Sequence, residues 1–520
     1  MHPEFAALLE IARQHAAAGR FADMTALCRQ LTQAPVTGTG LLIEVGNLFA
    51  AQGFLMQARH CYLRARQIEP ENLKILGNLA NLAQSAGQHS SARRLYHELL
   101  QQRPDDAVIR RNLLTSLEYD PAVNNAERLA AARAWGDWAI ARAGGNRPRP
   151  ACRPRHARPL RIGYVSADFC QHTVGFFVQD VLKAHDPARV QVFAYSAGQV
   201  QDSITEGIRA ACQFRAVRTL DDQALAAQIR HDEIDVLVDL SGHTAGSRLT
   251  VFAHRPAPVL VSWLGYFATT GLPVMDAVLL DAWHAPPGTE AQFVETIVRL
   301  PGRFCYTAVP WMPRVTLPDE DRPFITFGSF NNTAKLNDAV LEVWAQVLAA
   351  VPASRLVLKW RTFHDETFRQ TVTAIFEQYG IDAGRIELRG PSFHETMLEE
   401  YAGIDIALDP FPFTGGLTSC EALFMGVPVV SWPQSRVVSR QSHALLHQIG
   451  LPELSASDAA DYVQIATRLA NDRTRLKQLR TTLRERMLAS PLMDVASHTR
   501  QLEDALIGLY RDIPRGSEST

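Results

Sequence analysis

Three stretches of the chain combine side chains and backbone suited to phosphate and proton chemistry. In DIALDPFPFTGGLTSCEALF, Gly415 and Gly416 follow a short apolar run and precede a helical pattern. Backbone N–H groups at a helix start, reached past residues without a Cβ, bind phosphate well. Glu421 is placed on the first turn of that helix, where a carboxylate accepts from ribose hydroxyls. The run Thr418-Ser419-Cys420-Glu421 also reads as a capping box, which needs no ligand. After FITFGSF comes Asn331-Asn332-Thr333-Ala334-Lys335. A lysine just past a strand end neutralises a pyrophosphate, above all a departing one. The plain alternative is a solvated surface lysine. In LRIGYVSADFCQHT, His172 lies beyond another strand end, and His243 in SGHT follows the run IDVLVDL. Imidazole titrates near neutrality and suits acid/base work. A loop histidine held by a hydrogen bond is the alternative for either.

Other chemistries lose support. No GxGxxG or Walker P-loop accompanies the strands, and no HExxH or GxSxG occurs. Asp168, His172 and His243 do not have metal-ligand spacing, so no metal is expected. The seven cysteines form no CxxC pair, which fits reduced thiols and a cytoplasmic setting. A net charge of −2 and the lack of a long apolar run argue against nucleic-acid and membrane partners. The N-terminus has no basic region followed by an apolar core, so a secretory leader is not expected.

The elements that must position these residues are short, β-branched, apolar runs alternating with helical stretches. Five runs fall at 160–167, 190–197, 234–242, 258–266 and 276–282, and five more at 324–330, 354–360, 385–390, 404–410 and 428–433. Strands apolar on both faces belong to helix-covered parallel sheets. The reading is α/β: two doubly wound sheets in tandem, at 160–320 and 321–511, with ligands beyond the carboxyl ends of the strands. A terminal helical region covers 456–511, and 512–520 is a tail.

A different pattern precedes them. Gly19, Gly53 and Gly87 are spaced by 34, as are Asn47 and Asn81, Ala58 and Ala92, Tyr62 and Tyr96, and Pro70 and Pro104. This is the period of a tetratricopeptide repeat, two helices per unit with glycine at the turn. Units run at about 39–71 and 73–106; 4–36 is a weaker first unit with Cys28 at the tyrosine position. Residues 1–143 are therefore read as an all-α repeat superhelix, and 144–159, rich in proline and arginine, as a linker. Such an array offers a groove to proteins or peptides. Deleting residues 1–106 is expected to harm protein acceptors more than donor hydrolysis.

The segments LRIGYVSADFCQHTVGFF, DVLVDLSGHTAGSRLTVFAHRPAPVLVSWLGY, GSFNNTAKLNDAVLEVWAQVL and DIALDPFPFTGGLTSCEALFMGVPVVSWP, with the repeat array, resemble the O-GlcNAc transferase family, the bacterial members most of all. The resemblance implies a GT-B pair of Rossmann-like domains. It also implies inverting transfer of N-acetylglucosamine from UDP-GlcNAc to Ser or Thr hydroxyls of proteins, without metal or other cofactor. On that resemblance His172 matches the catalytic histidine, as base or as positioning group, and Lys335 the pyrophosphate lysine. Gly416, Leu417 and Thr418, after Gly415, match the phosphate loop. Asn332 replaces a uridine-side glutamine, Glu421 a ribose-binding aspartate, His394 a base-contacting lysine and Glu400 an arginine. His243, Thr244, Leu264 and Gly265 are candidate sugar or acceptor contacts. The changed base-side residues keep open a related GT-B enzyme with another sugar nucleotide or acceptor, and a repeat scaffold with an inactive catalytic region is the other alternative.

Overall fold

The computed structural model describes residues 3–34, 38–152, 158–317 and 322–513. Among the described residues, eight helices come first: Pro3–Ala17, Phe21–Gln33, Gly40–Ala51, Leu55–Ile68, Leu73–Ser85, His89–Gln102, Ala107–Tyr119 and Asn125–Arg142. The 34-residue spacing of glycines is the spacing of their turns. Gly19, Gly53 and Gly87 take φ of +70°, +86° and +77°, a region that side chains with a Cβ rarely enter. The repeated tyrosines are buried and donate to asparagines: Tyr62 Oη to Asn47 Oδ1 at 2.8 Å and Tyr96 Oη to Asn81 Oδ1 at 2.7 Å. The same oxygens accept from Asn78 and Asn112 of the next unit, each at 3.0 Å. Cys28, buried, fills the corresponding place in the first unit.

Twelve strands follow among the described residues: β1 Leu160–Ser166, β2 Val190–Ser196, β3 Gln213–Ala216, β4 Val236–Asp239, β5 Val259–Ser262, β6 Ala277–Asp281, β7 Thr296–Leu300, β8 Ile325–Ser329, β9 Ser354–Lys359, β10 Ile386–Arg389, β11 Ile406–Leu408 and β12 Val429–Val430. All ten runs read from the sequence contain strands. The two not foreseen, β3 and β7, are the edges of the first sheet, where one face need not be apolar: β3 is partly exposed throughout, and three of the five residues of β7 are at least partly exposed.

The first sheet is parallel, in the order β3-β2-β1-β4-β5-β6-β7. Ile162 of β1 lies opposite both Val192 and Val236, so the order reverses between β1 and β4. The other sheet places β8, β9, β10 and β11 in the parallel order β10-β9-β8-β11, reversing between β8 and β11. Ligands of open α/β sheets bind beyond the strand ends at such reversals.

The chain divides into two compact units that do not follow chain order. Unit 1 takes in Met1–Ala122, Thr316–Phe411 and Asp458–Lys477, hence the repeats and β8 to β11. Unit 2 takes in Val123–Val315, Pro412–Ser457 and Gln478–Thr520, hence the whole first sheet and β12. The last helix, Val495–Arg511, belongs to unit 2, where buried Glu503 accepts from His185 Nδ1 at 3.1 Å and from Arg189 Nη1 at 2.7 Å. Residues 153–157 of the linker, the 320/321 boundary and the tail from 514 lie outside the described residues. No described helix is long and apolar enough to cross a membrane.

Candidate active site

Lys335 ends a 3-10 turn, Thr333–Lys335, four residues past β8 and so at the reversal in unit 1. Asn332 caps that turn, its Oδ1 accepting from the Ala334 amide at 3.0 Å. Lys335 is half-buried, and its ammonium donates to Asn331 Oδ1 at 3.0 Å. Asn331 Nδ2 in turn reaches Ser329 Oγ, the last residue of β8, at 3.2 Å. Burial pulls the ammonium down to about 8, and the Asp409 carboxylate, one residue past β11, opposes the fall. The two strand ends are tied together: Asn337 caps helix Asp338–Ala350 and donates to the Phe411 carbonyl at 2.7 Å. A cation thus stands at the switch point, partly stripped of water and hydrogen-bonded to an amide oxygen. Anions bind well to such a group, because little solvent must be displaced.

Farther along unit 1, His394 is the first residue of helix His394–Glu399, and Phe393 before it is 89 % exposed. Glu400 is engaged by Lys359 Nζ at 2.7 Å, Arg389 Nη1 at 3.2 Å and Ser392 Oγ at 3.0 Å, and these partners hold its carboxyl below the usual range although burial acts the other way. An anion and its cationic partners therefore occupy the place where the resemblance expects an arginine.

Unit 2 holds the glycine loop. Helix Leu417–Phe424 begins after Gly416, which is its N-cap and carries no side chain to cover the first amides. Thr418 is therefore not an N-cap, and the capping-box reading falls away. Glu421 is buried and is the fifth helical residue, beyond the first turn expected for it. The loop is pinned from behind by helix Gln441–Gln448: Gln441 Nε2 donates to the Thr414 carbonyl at 3.1 Å and Ser442 Oγ to the Gly415 carbonyl at 3.1 Å. A Cβ on Gly416 would stand 2.9 Å from Gln441 Oε1, so a side chain there would have to displace the end of Gln441.

The histidines flank the reversal in the first sheet, also in unit 2. His172 follows β1 and caps helix Thr173–Ala184, with its side chain 48 % exposed. Val174 N–H donates to its Nδ1 at 3.3 Å, which puts the proton of the neutral ring on Nε2. Asp168 Oδ2 lies 3.8 Å from the same Nδ1 and favours the other tautomer, with Nε2 unprotonated. Burial pushes the Asp168 carboxyl up, and His172 pulls it back. The turn closes on Gly175, where a Cβ would meet the Cys170 carbonyl at 2.0 Å.

His243 follows β4 but is buried, Nε2–H donating to the Thr270 carbonyl at 2.8 Å, with ring edges against Trp135 and Tyr266. Thr244, partly exposed, donates to the Ser241 carbonyl. Asp239 at the end of β4 folds this loop by accepting from the Ser241 and Gly242 amides, and burial pushes it up to about 7. Leu264, past β5, is held at φ +70°, a strained value for leucine. Fully buried Arg303 fixes it there: Nη2 donates to the carbonyls of Leu264 at 2.9 Å and Tyr266 at 2.7 Å. Gly265 packs on the Leu240 carbonyl, leaving no room for a Cβ.

The structure thus brings Lys335 together with Asn331, Asn332 and Asp409 in one unit. In the other it sets His172, the SGHT loop and the Leu264–Gly265 loop on neighbouring strand ends. Sequence reasoning passed over Asn331, Asp409, Arg303, Gln441 and Ser442. Asp409 had a legible signal, a carboxylate one residue past a strand, and Asn331 acts on its near neighbours Ser329 and Lys335; Arg303, Gln441 and Ser442 act through contacts distant in sequence.

Helical repeats followed by two parallel Rossmann-like sheets, with polar residues gathered past the strand ends, are the architecture of a GT-B glycosyltransferase. The sequence model of Glycosyl transferase family 41 matches residues 149–312 and 309–502, and the chain belongs to that family. It is 41 % identical over 363 residues to the probable UDP-N-acetylglucosamine–peptide N-acetylglucosaminyltransferase SPINDLY of Solanum lycopersicum, covering 68 % of this chain and 39 % of that protein. The SPINDLY protein of Arabidopsis thaliana is 39 % identical, covering 69 % and 40 %. The chain spans about two fifths of the length of these curated relatives. Among solved structures, a lysine-to-methionine mutant of the Thermobaculum terrenum O-GlcNAc transferase superposes with a TM-score of 0.86 at 32 % identity, covering 98 % of this chain and 97 % of that one.

Proposed function

We propose that the chain is an inverting, metal-independent glycosyltransferase that moves N-acetylglucosamine from UDP-GlcNAc to Ser or Thr hydroxyls of proteins. The observation that carries this reading is Lys335, a half-buried ammonium held by Asn331 at the strand reversal of unit 1. Family membership and the names of the relatives support the same donor and acceptor.

In this reading the acceptor oxygen attacks the anomeric carbon as its bond to the phosphate oxygen breaks on the opposite face. UDP leaves with the electron pair, and the hydroxyl proton passes to a base. Charge grows on the diphosphate in the transition state. Lys335 would stabilise it in place of a metal ion, and the amides at Gly416–Thr418 are the phosphate contacts that the resemblance implies. Glu421 would take the ribose, and Asn332 and His394 the uridine side. His172 would serve the acceptor hydroxyl: with the proton on Nδ1 its Nε2 accepts as base, and with the proton on Nε2 it donates and positions. His243, Thr244, Leu264 and Gly265 would shape the sugar and acceptor space. The repeat groove would carry the acceptor protein.

The test is incubation with UDP-GlcNAc, UDP-glucose and GDP-sugars, with and without an acceptor peptide, following nucleotide release and peptide mass. UDP release with a HexNAc mass gain on Ser or Thr is expected, undiminished by EDTA. The Glu400 cluster favours one second reading, a different nucleobase, since a carboxylate among cations replaces the expected arginine. Turnover of a GDP-sugar in preference to UDP-GlcNAc would establish that reading instead. Failure to bind any nucleotide would mean a scaffold.

A further inference from the structure

The repeat glycines do more than turn the chain. Within unit 1, a Cβ on Gly87 would stand 2.3 Å from the Leu336 carbonyl and 3.3 Å from that of Thr333. One on Gly53 would stand 2.7 Å from the Arg361 carbonyl. Successive repeat turns therefore rest directly on the loops that leave the adjacent strands β8 and β9. The first turn joins them through Phe21, whose ring lies 4.6 Å from that of His364. Polar ties fix the contact. Thr333 Oγ1 donates to the Ser85 carbonyl at 2.9 Å, and the Met56 amide donates to Asp365 Oδ2 at 2.6 Å.

The tie nearest the chemistry comes from His89, the first residue of its helix, whose Nε2 lies 2.6 Å from the Ala334 carbonyl. A carbonyl only accepts, so Nε2 carries the proton and donates. The ring is 3 % exposed and stacked on Tyr119 at 5.4 Å, and burial pulls its pKa down, which keeps it neutral. Ala334 immediately precedes Lys335, and its carbonyl belongs to the peptide unit that carries the Lys335 amide. A displacement of that carbonyl rotates the backbone from which the lysine projects.

We propose that His89 is a positioning residue of the donor site: by holding the Ala334 carbonyl it sets where the Lys335 ammonium points, so the repeat turn at 86–89 is part of the machinery that receives the diphosphate. This deepens the proposed function and rests on it for the identity of the anion, but not for the hold on the loop. Three variants separate the two. His89→Leu keeps apolar bulk and removes the donor; His89→Gln offers an amide donor again; Thr333→Val cuts the second tie and leaves His89 in place.

Hydrogen exchange of the amides at 332–336 in the full chain reads the loop directly, and calorimetric titration with UDP reads the site. Expected are faster exchange at 332–336 in His89→Leu and a roughly tenfold weaker UDP affinity, about the loss of one hydrogen bond. The acceptor-peptide KM should hold, and His89→Gln should recover at least part of both losses. Thr333→Val should add to the exchange effect. Unchanged exchange at 332–336 in His89→Leu overturns the proposal whatever the nucleotide data. So does a loss that Gln fails to restore and that spreads evenly over unit 1, because that is only a weakened fold. If exchange rises as expected while Lys335→Ala binds UDP normally, His89 holds the loop as proposed and the donor-site reading is what fails.

Discussion

The ammonium of Lys335 is the residue whose ionisation state matters most to the proposed chemistry. Burial lowers its pKa to about 8, so the charged form is complete well below that value and disappears as pH rises through it. UDP affinity should be flat near neutrality and then fall about tenfold per pH unit above about pH 8, the slope of one lost proton. Lys335→Arg, whose cation persists to far higher pH, should flatten that limb in the same calorimetric titration. Lys335→Ala should slow turnover by roughly a hundred- to a thousand-fold with an unchanged melting profile. His172 poses a tautomer question. As a base it needs the proton on Nδ1, beside Asp168; as a donor it needs the arrangement that Val174 supports. Asp168→Asn should lower kcat by roughly a hundred-fold if Nε2 is the base, with donor KM held. An unaltered kcat assigns the ring a positional role. None of this was readable from spacing: His172 and His243 looked equivalent as loop histidines, and only burial separates an exposed cap from a ring packed under Trp135.

At the scale of elements, His172 and Gly265 owe their places to a strand end and to a glycine that lets a neighbour come close. The turn that presents His172 is closed on Gly175 by the Cys170 carbonyl. Gly175→Ala should cost about 1–3 kcal/mol in denaturant unfolding and move the turn, so kcat should drop out of proportion to stability. Equal scaling of the two would mean that the turn tolerates the methyl. The strands themselves were legible because both faces are apolar, and the helical repeat because one offset recurs in several residue types. The edge strands β3 and β7 were not, since half-exposed strands lack the continuous apolar run. The helix at Leu417–Phe424 was read correctly in kind but not in phase, as its start at Gly416 depends on Gln441 and Ser442, a contact some 25 residues away.

At the scale of the chain, compactness joins segments far apart in sequence. The period of the repeats alone makes deletion of residues 1–106 a loss for protein acceptors. The turn contacts make it a loss for donor hydrolysis as well, because Gly53, Ser85, Gly87 and His89 all touch the loops after β8 and β9. Nucleotide release without acceptor should fall at least as far as peptide modification in the truncated chain. Retained release would mean that those loops keep their shape unaided. Sequence could show that repeats and sheets are both present. It could not show that one leans on the other, since the contacts use backbone carbonyls that any residue supplies.

The thirty-four-residue step and the footholds at Gly53 and Gly87 also set a rule for growth. Whole units added ahead of Pro3 would lengthen the arm and leave both footholds where they are. A unit spliced between the two would pull one of them off its strand end, so extra reach belongs ahead of Pro3 and not between the footholds.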